Sequence, residues 1–192
     1  MKESNFKKES IRKLTLVALL TALAAALSFV KIPILGVSIT LVLPVVIIGG
    51  ALCGPLVGAW LTVIPNVIAF TEAGIFMTYS PVGCMITLLL KGLVAGFVSG
   101  VIYKVLSKKH PIGAVTCSAV VAPILNSGIF VLGCYICIWD QLTAVAGEKG
   151  VGIGMLLFGL AGLNFIIELV LNVILCPTIL RIIQIASKKK LV

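Results

Sequence analysis

Two ionisable residues interrupt runs that are otherwise apolar. Lys91 stands between Leu88–Leu90 and Gly92–Val94, and Glu168 between Phe165–Ile167 and Leu169–Val170. Amides join them: Asn66 beside Pro65, Asn126, and Asn164 and Asn172 placed four residues either side of Glu168. On a helix that spacing sets Asn164, Glu168 and Asn172 on one face. A charge in a run long enough to cross a bilayer is expensive and marks a functional position by default. Two readings are open. Lys91 and Glu168 can form a structural ion pair between helices, since intramembrane charges commonly pair. Alternatively, Lys91, Asn126, Asn164 and Glu168 form a polar pocket for a small hydrophilic ligand, a few converging polar groups in an apolar cavity.

Other chemistry is thinly represented. There is no G-x-x-x-x-G-K-[ST] phosphate loop, no H-E-x-x-H and no G-x-S-x-G. The chain therefore reads as a non-enzyme that hydrolyses no ATP through such a loop. Cys134 and Cys137 make one C-x-x-C, but with His110 as the single histidine they do not complete a four-ligand zinc site. All six cysteines lie in or beside apolar runs, where the thiol behaves as a small hydrophobe. Neither cofactor nor metal is expected.

Small residues recur at helical spacing. Ala18, Ala22 and Ala26 form one stripe; Gly92, Gly96 and Gly100 form another, and Gly50, Gly54 and Gly58 a third. Such stripes let helices approach closely, and they also suit docking of a partner. For the alanines alone, an Ala-rich span is an equal explanation.

The elements that must hold these residues follow from composition. The chain has 192 residues, 60% of them hydrophobic, and only 11% are charged. A soluble domain needs more polar surface. A spanning helix needs about 20 apolar residues. The sequence predicts an all-α membrane protein, a single transmembrane domain over 1–192 with helices at 11–30, 40–52, 56–70, 82–106, 113–138 and 155–185. Pro65 is expected to kink the third of these, and 31–38, 71–81 and 139–154 are expected to be loops on one side. Twelve of the fifteen Lys and Arg fall at the N-terminus (Lys2, Lys7, Lys8, Arg12, Lys13), the middle break (Lys104, Lys108, Lys109) and the C-terminus (Arg181, Lys188, Lys189, Lys190). With six crossings, the positive-inside rule puts all three clusters and both termini in the cytoplasm. It also accounts for the +9 net charge without nucleic-acid binding. A cleaved secretory signal, basic and then apolar from Leu14 to Val30, is the rival reading of the N-terminus.

In this order, the Ala18–Ala22 stripe, the run from Pro44 to Gly58, and the segments Leu90–Gly96, Asn126–Leu132 and Asn164–Glu168 followed by Pro177 resemble the S-component of energy-coupling factor (ECF) transporters. The resemblance covers nearly the whole chain. It implies a substrate-binding inner-membrane subunit with a pocket near the outside face, formed largely by the last three helices and the outside loops. It implies docking of the Ala18, Ala22 and Ala26 stripe on a membrane coupling (T) protein driven by two cytoplasmic ATPases, and toppling to release substrate. Relatives bind vitamins such as riboflavin, thiamine, biotin, folate, pantothenate or pyridoxine-type compounds. Two other classes stay open: a solitary proton-coupled secondary transporter using Glu168, and a non-transporting scaffold or intramembrane enzyme. Against the first, no inverted repeat with paired broken helices is visible.

Overall fold

Four long apolar helices carry the architecture, at Ser10–Phe29, Pro81–Leu106, Pro111–Glu148 and Ile153–Ala186, each long and apolar enough to cross a membrane. The structure is a computed structural model that describes residues 2–30, 32–34, 37–39, 41–71 and 73–188. Lys189 and Lys190 of the C-terminal basic cluster, and Lys31 and Glu72 within the expected loops, lie outside the described residues. In chain order the elements are α1 (Lys2–Phe29), β1 (Ile32–Ile34), β2 (Val37–Ile39), α2 (Val42–Cys53), α3 (Pro55–Trp60) and α4 (Val63–Phe70). They continue with α5 (Gly74–Tyr79), α6 (Pro81–Leu106), α7 (Pro111–Glu148), α8 (Ile153–Leu157), a π-helical turn (Phe158–Gly162) and α9 (Leu163–Lys188).

The chain departs from the sequence expectation in its connections. The loop expected over 31–38 contains an antiparallel pair in which Ile32 faces Ile39 and Ile34 faces Val37. Among the described residues the chain is all-α as expected but for this one small hairpin, whose strands carry the β-branched residues that favour pleated backbone. The loop expected over 71–81 contains α5, and α7 runs ten residues past its expected end at 138, through most of the third expected loop. Ile138 bends α7 with non-helical angles, φ −142° and ψ 25°. The apolar, turn-poor run from Gln141 to Ala146 lets the helix resume after that bend.

The third expected helix is broken rather than kinked. α3 ends at Trp60 and α4 starts at Val63. Pro65 therefore falls in the first turn of α4, where a missing N–H has no intrahelical partner to lose. Thr62 bridges the gap, its hydroxyl donating to the Ala59 carbonyl at 2.7 Å while its own carbonyl accepts from the Asn66 N–H at 3.0 Å.

The glycine stripes meet one another. A Cβ on Gly50 would sit 3.1 Å from the Gly100 Cα, and one on Gly100 would sit 2.7 Å from the Pro55 Cα. Gly58 and Gly96 face each other so closely that a Cβ on either would strike the other's backbone carbonyl. This contact draws α2 and α3 onto α6, and only glycine permits it. Gly54 has φ +106° and makes the turn between α2 and α3 instead of joining the stripe.

Two apolar cores result. The larger unites Leu20 and Ala24 of α1, the almost wholly buried α2, Val115, Ala119 and Ala122 of α7, and Ile179 and Ile183 of α9. The smaller joins Phe76, Cys84, Leu88, Cys134, Ile138 and Leu142. Along α7, Asn126 falls between the segments that supply the two cores.

Candidate functional site

The polar residues gather where the cores part. A cavity of about 190 Å³ is lined by Lys91 and Gly92 of α6, Asn126 of α7, and Asn164 and Glu168 of α9. The remaining wall comes from Ser28 of α1, Val42 and Leu43 of α2, Thr62, and Pro65, Asn66, Ile68 and Ala69 of α4. All four pocket residues expected from the sequence thus share one cavity. The wall draws on α1, α2 and α4 as well as on the last three long helices, more widely than the resemblance implies.

Each side chain has a local cause for its position. Asn164 and Glu168 are one helical turn apart near the start of α9, directly after the π turn at Phe158–Gly162. A single π turn shifts the register of the residues C-terminal to it, and such turns recur at functional sites. Glu168 is 7% exposed, and Asn126 donates its Nδ2 hydrogen to Glu168 Oε2 across 3.3 Å, tying α7 to α9. Asn172, one turn further on, is 2% exposed and does not line the cavity; its Nδ2 donates to the Glu168 backbone carbonyl at 2.8 Å. The three-residue polar face of that helix therefore divides into two cavity groups and one that braces the helix.

Lys91 takes a different partner from the one an ion-pair reading demands. Its Nζ lies 5.1 Å from the centroid of the Phe130 ring, a cation–π distance. Phe130 is held in turn by edge-on contact with Phe76, centroids 6.0 Å apart. Lys91 Nζ does not come within the 4.0 Å of a Glu168 carboxylate oxygen that a salt bridge requires. Lys91, Asn126 and Asn164 also line a second cavity of about 90 Å³ with Ser127, Phe130, Leu160 and Ala161, so these three side chains stand between two voids.

The pocket set read from the sequence omits Thr62, Ser28 and Asn66. Asn66 is 8% exposed and its Nδ2 has no hydrogen-bond partner. A buried amide left unpaired costs about 1–3 kcal/mol, so its position on the cavity wall marks a donor waiting for an acceptor. The signal for it is in the sequence, an Asn beside Pro65 in an apolar run; its place in the pocket depends on the break between α3 and α4, which the apolar pattern conceals. Ser28 has no such signal, because its hydroxyl is already occupied by the Ala24 carbonyl at 2.7 Å.

The alanine stripe lies elsewhere. Ala18, Ala22 and Ala26 are exposed, whereas Leu20, Ala24 and Ser28 on the other face of α1 are buried against the bundle. The cysteines have a packing role: Cys84 and Cys134 are buried in the smaller core, and Cys137 is half-buried beside it.

The model of the family described as ECF transporter, substrate-specific component, matches residues 12–180. No curated protein and no solved structure matches the chain. The match spans most of the 192 residues, so the chain belongs to that family. It is a membrane-embedded transporter component and not an enzyme.

Proposed function

We propose that this ECF transporter substrate-specific component captures a small amphoteric molecule of the vitamin class in the cavity around Lys91, Asn126, Asn164 and Glu168. The observation that supports it best is the convergence of those four side chains, from three helices, on one void with the unpartnered Asn66 amide. The amides supply both donors and acceptors, Lys91 supplies donors only, and the Glu168 carboxyl is the natural partner of a ligand donor. Lys91 is a point charge without the planar fork of Arg, so it anchors an anionic or carbonyl group without fixing its orientation; the amides supply the orientation.

Size narrows the class. About 190 Å³ corresponds to roughly six waters of liquid volume and lies below the ~300–1,000 Å³ typical of pockets for drug-sized ligands. A single-ring compound fits that space better than a flavin or a folate. Mass spectrometry of the small molecule released from purified protein tests this directly. A charged or strongly hydrogen-bonding one-ring compound is expected; a purely apolar ligand, or a large multi-ring one, would sink the reading.

Family members work with a membrane T protein and ATPases. For this chain we propose that the exposed Ala18–Ala22–Ala26 face of α1 docks on the T protein and that two cytoplasmic ATPases drive release. We further propose six crossings with both termini cytoplasmic, counting α2 and the α3–α4 pair as the second and third crossings. At 12 residues, α2 is about 18 Å long, so the hairpin before it would complete the outer part of that layer. Support for the orientation comes from Lys13 of α1 and Lys104 and Lys108 of α6, which line one cavity at a single end of the bundle. Asp140 and Glu148 lie toward the other end of α7.

A further inference from the structure

Thirteen residues along α6 from Lys91, about 20 Å by helical rise, two hollows meet at the basic end of the bundle. The first, about 410 Å³, is lined by Lys13 of α1, by Cys53 and Pro55 at the α2–α3 turn, and by Tyr103, Lys104, Ser107 and Lys108. The second, about 610 Å³, is lined by Leu56, Phe97, Val101 and Val105 and shares Pro55, Lys104 and Lys108 with the first. One is basic and hydroxyl-bearing; the other is apolar and continuous with it.

The chemistry of each half constrains what fills it. Three lysines from two helices line this hollow, with no carboxylate in the described lining. Their summed positive field attracts an anion to the hollow. Phe97, Val101 and Val105 recur at four-residue intervals on one face of α6, and Phe97, Val105 and Leu56 are 43%, 63% and 78% exposed. In a membrane-embedded chain that face meets acyl chains. The occupant therefore has an anionic head and an aliphatic tail joined end to end. A zwitterionic headgroup suits the site poorly, because it brings its own cation to three lysines.

We propose that this end of the bundle holds an anionic glycerophospholipid, its phosphate among Lys13, Lys104 and Lys108 and one acyl chain along Leu56, Phe97, Val101 and Val105. The site is separate from the substrate cavity and does not depend on what that cavity binds. A basic pocket between helices at the headgroup level is the expected form of such recognition. It would fix α1 at Lys13 and the end of α6 against the α2–α3 turn through a lipid rather than through a protein contact.

Lipid binding to the full-length protein in neutral detergent, read by native mass spectrometry with phosphatidylglycerol and phosphatidylcholine, tests the proposal. Phosphatidylglycerol is expected to bind in preference. The double variant Lys104→Gln, Lys108→Gln should weaken it by roughly fivefold per lysine removed. Val101→Trp, which leaves every lysine in place and fills the groove, should weaken it as well. The three lysines are exposed, so their replacement disturbs no core, and a wild-type melting temperature checks this. Equal binding of the two lipids would overturn the proposal, as would lipid affinity unchanged in either variant. Glycerol phosphate binding as tightly as the whole lipid would reduce the site to a phosphate site. Lysine variants that bind lipid normally but lose the T protein would make it a protein contact; both of these results also overturn it.

Discussion

Asn126 of α7 donates to Glu168 of α9 across 3.3 Å, while Lys91 of α6 lies over the Phe130 ring, 5.1 Å from its centroid. Two intramembrane ionisable residues that share one cavity thus each have an uncharged partner. An ion pair would use up both groups; this arrangement leaves each with hydrogen-bonding capacity toward the void. The structural and the ligand-binding roles of Glu168 are therefore separable by experiment.

Glu168→Gln keeps the shape of the side chain and its contact with Asn126, and removes the carboxylate. If Glu168 receives a ligand donor, affinity should fall by about 1–3 kcal/mol, roughly ten- to a hundredfold, with the melting temperature near wild type. Asn164→Ala should weaken binding by a similar factor. Measuring dissociation constant and melting temperature on the same preparations decides between the roles. Lost stability with intact affinity would remove Glu168 from the site.

Asn66→Leu carries an unusual sign. The amide Nδ2 is buried without a hydrogen-bond partner in the protein, so an apolar side chain of the same branching relieves a desolvation cost. The ligand-free variant should melt at or above the wild-type temperature, and its affinity should drop by roughly tenfold or more. A variant that melts lower and binds as tightly would show that Asn66 is a packing residue.

Much of this arrangement is legible in the sequence. Lys91, Asn126, Asn164 and Glu168 stand out because polar groups in apolar runs need a reason, and the cavity collects all four. The Gly50, Gly58, Gly96 and Gly100 contacts are foreshadowed by four-residue spacing. Backbone irregularity is the part that the sequence conceals. The break at Leu61–Thr62 and the π turn at Phe158–Gly162 lie in apolar text with no change in composition, and the bend at Ile138 falls where the text turns polar at Asp140–Gln141 yet the helix resumes. Each sets which wall a residue faces: Thr62 joins the pocket unannounced, and Asn66, visible as a polar residue, gains its place there only from the break. Hydropathy is equally silent on α5 and on the extension of α7, since their helical hydrogen bonds continue through sequence that reads as a connection.

The topology can be read with single-cysteine variants in a background where the six native cysteines are replaced. An impermeant thiol reagent applied to intact cells should label a cysteine near Glu148 and leave one near Lys108 unlabelled until the membrane is opened. The reason is the asymmetry of basic residues, with Lys13, Lys104 and Lys108 at one end. Labelling near Lys108 alone would invert the orientation, and labelling of both positions would break the crossing count.

Gly58→Ala and Gly96→Ala should destabilise without touching the ligand. A Cβ at either position strikes the backbone of the facing helix, which has no rotamer with which to move aside. Overpacking of this kind typically costs about 1–3 kcal/mol, visible as a lowered melting temperature. Gly54→Ala meets open space but has φ +106°, and so loses stability through backbone strain instead. The distinction is measurable: with ψ 167° as well, Gly54 sits in a region open essentially to glycine alone, so Gly54→Asn should recover nothing of the loss, whereas Gly58→Asn should be worse than Gly58→Ala.

Ala22→Trp tests the docking face. Ala18, Ala22 and Ala26 point away from the bundle while Leu20 and Ala24 on the other side of α1 are packed into the larger core. A bulky side chain at position 22 therefore has room in the isolated protein and should leave both folding and ligand affinity at wild-type values. Against a partner helix the same side chain prevents the close approach that small residues allow. Uptake in cells carrying the T protein and ATPases should be lost, and the variant should fail to co-purify with them. Ala24→Trp is the contrasting control: Ala24 is 0% exposed, so that variant should lose stability before any partner is present. If Ala22→Trp and Ala18→Trp both sustain transport, lipid and not the T protein covers this face, and the coupling surface must be sought on another helix.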